Sequence, residues 1–192
     1  MINFLAPELL HRLKNCRSEH VVKALGRKHC GLRILDTTVG LGRDALILAS
    51  AGNSVLGLEQ NQEVYALLQR ELERLRSGSR SKTKSLHLDI TFKHCNSIDY
   101  LKNTTELFDI IYLDPMFPKS SKSRLVKKEM VWLKSIVGED DNGVELFNMA
   151  MQEASATSRV IIKRPVHGPF INGIKPNYQI LGDVNRFDVY KS

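Results

Sequence analysis

Short unbroken apolar runs alternate along this chain with longer stretches whose apolar residues fall three or four apart. Arg33-Ile-Leu-Asp36 is a brief apolar run closed by an acid, the pattern of a buried strand. Helical spacing covers 43–51 and stops at Gly52, a residue type that often ends helices. Ser54-Val-Leu-Gly-Leu-Glu59 reads as a second strand, again closed by an acid, and over 62–76 Val64, Leu67, Leu68, Leu72 and Leu75 form a helical stripe. Further strands are expected at 90–95, 108–114 and 159–163, with a closing hairpin from 178–181 and 187–190. Strands that alternate with helices require parallel pairing and right-handed crossovers. The expected fold is therefore α/β and Rossmann-like, a mostly parallel open sheet with a C-terminal antiparallel hairpin. Residues 1–14 read as an amphipathic helix, so a short helical extension over 1–32 is expected ahead of the main domain over 33–192. Such sheets bind ligands beyond the carboxyl ends of their strands, so the residues just after each strand matter most.

Composition narrows the classes. Apolar residues make up 42% and charged residues 26%, enough for a real core. No apolar run approaches the roughly 18–20 residues of a membrane span, and the start lacks the order of a signal peptide. A cytoplasmic protein is expected, with no membrane partner. Cys16, Cys30 and Cys95 form no Cys-x-x-Cys pair, and His11, His20 and His29 do not share a helical face, so no metal site is expected. Lys plus Arg number 28 against 21 acids, a net charge of +7, which favours a polyanionic partner, nucleic acid first. The basic stretch over 76–85 reads more readily as a solvated connection than as an RNA contact.

After the first strand comes Asp36-Thr-Thr-Val-Gly40-Leu-Gly42-Arg-Asp-Ala45. Gly40 and Gly42 permit a tight turn and close approach to a ligand, and the helix that follows offers unpaired amides. Glu59, which closes the second strand, is placed to accept from a ribose diol. A nicotinamide or flavin dinucleotide fits this layout, and so does S-adenosylmethionine; the loop alone leaves both open. The fourth strand decides, because it ends Tyr112-Leu-Asp-Pro-Met-Phe117. Asp/Asn-Pro-Pro-aromatic at this place serves amino-group methyltransferases. An exocyclic amine has its lone pair delocalised into the ring and must be aimed at the methyl carbon, with its hydrogens held by acceptors. Asp114 supplies a carboxylate, the Pro115 carbonyl can help, and Phe117 can stack on the base, worth roughly 1–3 kcal/mol. Lys119, Lys122, Arg124, Lys127 and Lys128 follow at once and suit a phosphate-gripping rim, which Lys163 and Arg164 could join. Base flipping would suit such a site, since an amine inside a stack cannot reach a pocket.

These blocks, with Leu125-Val-Lys-Lys-Glu-Met130, Val160-Ile-Ile-Lys-Arg-Pro165 and Arg186-Phe-Asp-Val-Tyr190, resemble the RsmJ family over roughly residues 17–190. That bacterial family methylates the exocyclic N2 of one guanine near the 3′ end of small-subunit ribosomal RNA. The resemblance implies an S-adenosylmethionine-dependent methyltransferase fold, with the cofactor contacted by Arg43 and Asp44, Glu59 and Gln60, Asn96 and Ser97, and Asp114. It implies small-subunit ribosomal RNA or the small ribosomal subunit as partner. Thr37 and Val39 stand where members tend to have Ala, Arg17-Ser-Glu-His-Val-Val22 replaces a glycine- and arginine-rich stretch, and the beginning looks shorter than usual. Competing expectations are an amino-methyltransferase acting on another RNA or DNA base, which different nucleic acids in an assay would reveal, and a non-catalytic RNA-binding assembly factor. Intact Asp36, Glu59 and Asp114 speak against the latter, because RNA binding gains nothing from them. A dinucleotide oxidoreductase, testable by nicotinamide titration, lacks an evident substrate domain.

Overall fold

The computed structural model describes residues 2–77, 88–115 and 142–191. Five strands run parallel: β1 (Arg33–Asp36), β2 (Ser54–Glu59), β3 (Ile90–His94), β4 (Ile110–Leu113) and β5 (Arg159–Pro165). The last two, β6 (Tyr178–Leu181) and β7 (Asn185–Lys191), form the antiparallel hairpin, and β7 also pairs antiparallel with β5. The sheet order is β3-β2-β1-β4-β5-β7-β6. Because β1 pairs with both β2 and β4, the crossovers diverge there, the place beyond the carboxyl ends of the strands where such sheets bind their ligands. All four residues of β4 are buried, as expected of a strand covered on both faces.

Helices α1 (Pro7–Lys14), α2 (His20–Ala24), α3 (Arg43–Ser50) and α4 (Gln62–Ser77) cover one face; α5 (Ser97–Asn103) and α6 (Gly143–Glu153) cover the other. Pro7 opens α1, where a missing N–H costs nothing and the fixed φ suits a helix. Ile2, Phe4, Leu9, Leu13, Val21 and Val22 share one buried cluster with Ile34, Ala45 and Leu68. Residues between 2 and 32 thus contribute side chains to the same buried cluster as the sheet and α3 and α4. Buried Glu71 of α4 strengthens that join by accepting the Phe4 N–H at 3.3 Å.

Two glycines set the distance between the first loop and its surroundings. A Cβ on Gly57 of β2 would lie 2.7 Å from the Val39 side chain and 2.9 Å from the Phe92 ring, so only glycine lets the loop after β1 lie down on the sheet. Gly42 has φ +70, and a Cβ there would meet Leu68 at 2.8 Å and Phe4 at 2.9 Å. The sequence pattern assigns Gly42 to a ligand approach; in the fold, the missing side chain makes room for the core.

Candidate active site

The loop leaving β1 is tied to its neighbours residue by residue. Asp36 is buried, and its carboxylate accepts the Thr38 N–H at 3.1 Å. Thr37 donates both its N–H and its hydroxyl to the Tyr112 carbonyl, at 2.9 and 3.0 Å. Val39 donates to the Leu58 carbonyl at 3.2 Å, and Gly40, at φ +49, turns the chain toward α3. Burial pushes the Asp36 carboxyl up to about 8; the Thr38 N–H pulls it back, while the charges of Asp44 and Asp114 add to the rise.

At the ends of β2 and β3 the polar groups interlock. Glu59 is buried, which raises its carboxyl against the pull of the Asn61, Gly40 and Gln60 N–H groups. The bond from Gly40 ties the glycine loop to β2, and the Asn61 N–H lies 2.8 Å from Glu59. Asn96 caps α5 by accepting from the Ile98 and Asp99 N–H groups at 2.9 and 3.2 Å, and its amide donates to Gln60 Oε1 at 3.0 Å. The Ser97 hydroxyl donates to the Thr37 carbonyl, which joins the start of α5 to the loop after β1.

Between β4, β5 and α3 lies a charged cluster. Leu113 pairs with Ile162, so Asp114 and Lys163 follow as neighbours on adjacent parallel strands. The Lys163 ammonium donates to Asp44 Oδ2 and to Asp114 Oδ2, at 2.8 Å each. Tyr112 donates its hydroxyl to the same Asp44 oxygen at 2.8 Å. Thr38 Oγ1 accepts the Asp114 N–H at 2.6 Å, so Asp114 is held through backbone and side chain together. Burial opposes the Asp44 charge, yet Lys163 and the Tyr112 hydroxyl hold its carboxyl below the usual range. Burial raises Asp114 above the usual range, Lys163 opposing it and Asp44 adding to it. Burial disfavours the Lys163 charge, but the two carboxylates together keep it firmly protonated.

Acidic groups at four neighbouring strand or helix ends, with amide and backbone groups between them, suit a nucleoside that carries positive charge. S-adenosylmethionine, with its ribose diol, sulfonium and ammonium, is such a molecule. A family model described as "Putative SAM-dependent methyltransferase" matches residues 1–192. Ribosomal RNA small subunit methyltransferase J of Coxiella burnetii is 41% identical over 192 residues, spanning 98% of this chain and 73% of that protein. The chain belongs to the ribosomal RNA small subunit methyltransferase J family. The Nitrosococcus oceani member is 38% identical over 177 residues, covering 91% of this chain and 68% of its own length. A crystal structure of a SAM-dependent methyltransferase from Neisseria gonorrhoeae superposes with a TM-score of 0.74 at 30% identity, covering 100% of this chain and 74% of that one.

Membership in the methyltransferase J family agrees with the α/β fold, the cofactor and the enzyme class expected from sequence. The structure brings Asp36, Gly40, Asp44, Glu59, Gln60, Asn96, Ser97 and Asp114 to the carboxyl edge of the sheet, with Arg43 opening α3 and buried Pro115 following Asp114. Two residues expected to contact phosphate have partners within the protein. Lys163 directs its charge to Asp44 and Asp114, and Arg164 is buried with its guanidinium donating to the Pro169 carbonyl at 2.6 Å. Successive strand residues face opposite sides of a sheet, so Lys163 and Arg164 point apart. Phe117, Lys119, Lys122, Arg124, Lys127 and Lys128 lie outside the described residues, as does most of 76–85. Sequence reasoning overlooked Tyr112 and Thr38 as members of the site. Among the described residues, no helix is long and apolar enough to cross a membrane, and no group of three His, Cys, Asp or Glu residues is placed to hold a metal.

Proposed function

We propose that this methyltransferase acts in the cytoplasm on the exocyclic N2 of a guanine in small-subunit ribosomal RNA, free or within the small subunit. The observation that carries this reading is the Asp114 carboxylate at the end of β4, fixed by Thr38 and Lys163 and followed by Pro115. Asp114 accepts an N–H of the guanine amine and the Pro115 carbonyl offers a second acceptor, which turns the nitrogen lone pair toward the transferable methyl. Phe117 stacks on the base. Glu59 holds the ribose diol of the cofactor, Asn96 and Ser97 with Gln60 serve the adenine edge, and Arg43, Asp44, Asp36 and the backbone at Gly40 and Gly42 hold the remainder. When bound, S-adenosylmethionine supplies a methyl carbon already activated by its sulfonium. The protein's task is then alignment more than base strength, the regime in which proximity and orientation provide most of the acceleration. Lys119, Lys122, Arg124, Lys127 and Lys128 grip phosphates around the flipped nucleotide.

The test is transfer of labelled methyl from S-adenosylmethionine to small subunits lacking the modification, and to the matching naked RNA, followed by nucleoside analysis. Label in N2-methylguanosine is the expected result. Label in another nucleoside, or none despite measured cofactor binding, overturns the reading.

A further inference from the structure

The cluster at the ends of β4, β5 and α3 holds more negative charge than one amine acceptor requires. Asp36, Asp44 and Asp114 converge there, and Asp36 and Asp44 are the more enclosed of the three. Facing Asp114 are Lys163 from β5, Asp44 from α3, Asp36 from β1 and the Tyr112 phenol of its own strand. Arg12 of α1, paired with Glu19 at 2.7 Å, adds a more distant positive charge that acts on Asp44. Lys163 is the cation that touches both Asp44 and Asp114.

Two carboxylates this close share a proton when no cation separates them, because like charges in a poorly solvated site cannot both ionise. A proton on Asp114 changes its chemistry outright. A carboxylate accepts at both oxygens, whereas a protonated carboxyl turns one of them into an O–H donor and leaves a weaker acceptor in the other. That donor would meet an amine N–H that needs an acceptor, and the lone pair would lose its alignment. The side chain of Lys163 is only 21% exposed and both its short contacts are to carboxylates, so a phosphate could reach it only by breaking an ion pair.

We infer that Lys163 is a positioning residue for methyl transfer: it keeps Asp114 ionised as an amine acceptor and ties that carboxylate, through Asp44, to the helix that follows the glycine loop. The inference rests on the proposed reading of Asp114. It assigns Lys163 to the acceptor's charge state and geometry and separates it from RNA binding, so replacing Lys163 changes kcat and its pH dependence and leaves KM for RNA in place.

The experiment uses two readouts on the full chain. In the first, aspartate carboxyl carbons are labelled with carbon-13 and titrated by NMR without cofactor, Asp114→Asn identifying the Asp114 signal. Lys163→Met is expected to raise the Asp114 midpoint by about 1–3 on the pH scale, the span an adjacent opposite charge commands, and Lys163→Arg to restore most of it. In the second, kcat and KM for RNA are followed across pH. The acid limb of kcat in Lys163→Met should move to higher pH in step with the NMR midpoint, and kcat at a pH on that limb should fall at least roughly tenfold, the change that a midpoint displaced by about 1 brings there. KM for RNA should stay within about threefold, well short of that tenfold. Thermal unfolding of each variant confirms folding. An unmoved midpoint and acid limb in folded Lys163→Met overturn the inference, as does a rise in KM with the limb in place, the signature of a phosphate contact. Wild-type transfer by Asp114→Ala overturns the reading of Asp114 and the inference with it. Inactive Asp114→Ala beside an unmoved limb in Lys163→Met overturns the inference alone.

Discussion

Two charged clusters lie within the same sheet, and they solve burial in opposite ways. On β7, Arg186 grips Asp188 with Nε at 2.9 Å and Nη2 at 3.1 Å, a two-pronged pairing in which both residues are nearly inaccessible. The same guanidinium donates to the carbonyls of Pro165, Val166 and Gly168 at 2.8–2.9 Å and lies over the Phe170 ring at 5.2 Å. Arg164 adds a second buried cation nearby. The excess charge of this cluster is positive and resides on arginines, whose guanidinium groups keep their charge, and carbonyl dipoles absorb it. At the ends of β1, β4 and β5 the excess is negative and resides on carboxylates, which can be protonated. The environment there pushes Asp44 down and Asp36 and Asp114 up. Divergent carboxyls within one cleft mark a place where chemistry is done, whereas a bidentate pair closed by backbone carbonyls marks a clamp.

The sharpest way to break this contrast is to remove each cluster's central charge and compare what is lost. Arg186→Met leaves Asp188 buried without its partner and frees the loop after β5. A loss of about 3–5 kcal/mol in urea unfolding is expected, the usual penalty for half of a buried pair. If Arg186→Met instead kept its stability and lost methyl transfer, the clamp would belong to the reaction and the contrast would fail.

Asp36→Asn should act in the other direction and only at higher pH. The Asp36 carboxyl sits near 8 in the fold against an ordinary value of 3.8, so between those values the folded protein holds a proton that the unfolded chain has released. The stability that this one group contributes is therefore full below about pH 4 and is lost as pH rises through the folded value. Asparagine cannot ionise, and its amide oxygen can still accept the Thr38 N–H. The variant should gain on wild type as pH rises, by a few kcal/mol at pH 8.5, since each tenfold difference in proton affinity between folded and unfolded chains is worth about 1.4 kcal/mol. Urea midpoints at pH 5 and 8.5 measure this. Parallel pH dependence in the two proteins would place Asp36 with the inert cluster.

The strands of this contrast were legible in the sequence; the contacts across it were not. Apolar runs closed by acids located β1, β2 and β4, and the doubly wound topology sent attention to their ends. Lys163 bonds partners 49 and 119 residues away, and which carboxylate it meets depends on register, which no local pattern carries. The alternation of β5 could have separated Lys163 from Arg164, since neighbouring strand residues point apart. The purpose of Gly42 was hidden for the same long-range reason, because Phe4 and Leu68 fill the space its side chain would take. Helix α5 is only seven residues long and escaped notice through its weak periodicity, although Asn96 ahead of it is a recognisable cap.

A smaller effect tests how closely the titrating cluster is coupled. Tyr112→Phe removes the hydroxyl that donates to Asp44 and retains the ring that stacks on Phe187 at 6.5 Å between centroids. Asp44 keeps its bond to Lys163, so about 1.5–3 kcal/mol of stability is expected to be lost in chemical denaturation, the range for one hydrogen bond to a charged group. A loss as large as that of Arg186→Met would mean that the phenol, and not Lys163, governs Asp44.

The smallest expected effect lies at the border of the site, where Asn96 serves a helix and faces the proposed adenine edge at once. Asn96→Ala deletes the acceptor for the Ile98 and Asp99 N–H groups and the donor to Gln60, and should cost about 1 kcal/mol, the usual loss when an N-cap is removed. Asn96→Asp separates the two roles. Aspartate restores the cap and adds a favourable negative charge at the helix start, yet it cannot donate to Gln60 Oε1. If the cap is the whole contribution, Asn96→Asp recovers both stability and cofactor affinity, measured by calorimetric titration with S-adenosylmethionine. If the amide also orders the adenine edge, stability returns while affinity stays reduced. That second outcome would extend the functional cluster from β1, β4 and β5 to the end of β3, on neutral hydrogen bonds that the charge contrast alone does not reveal.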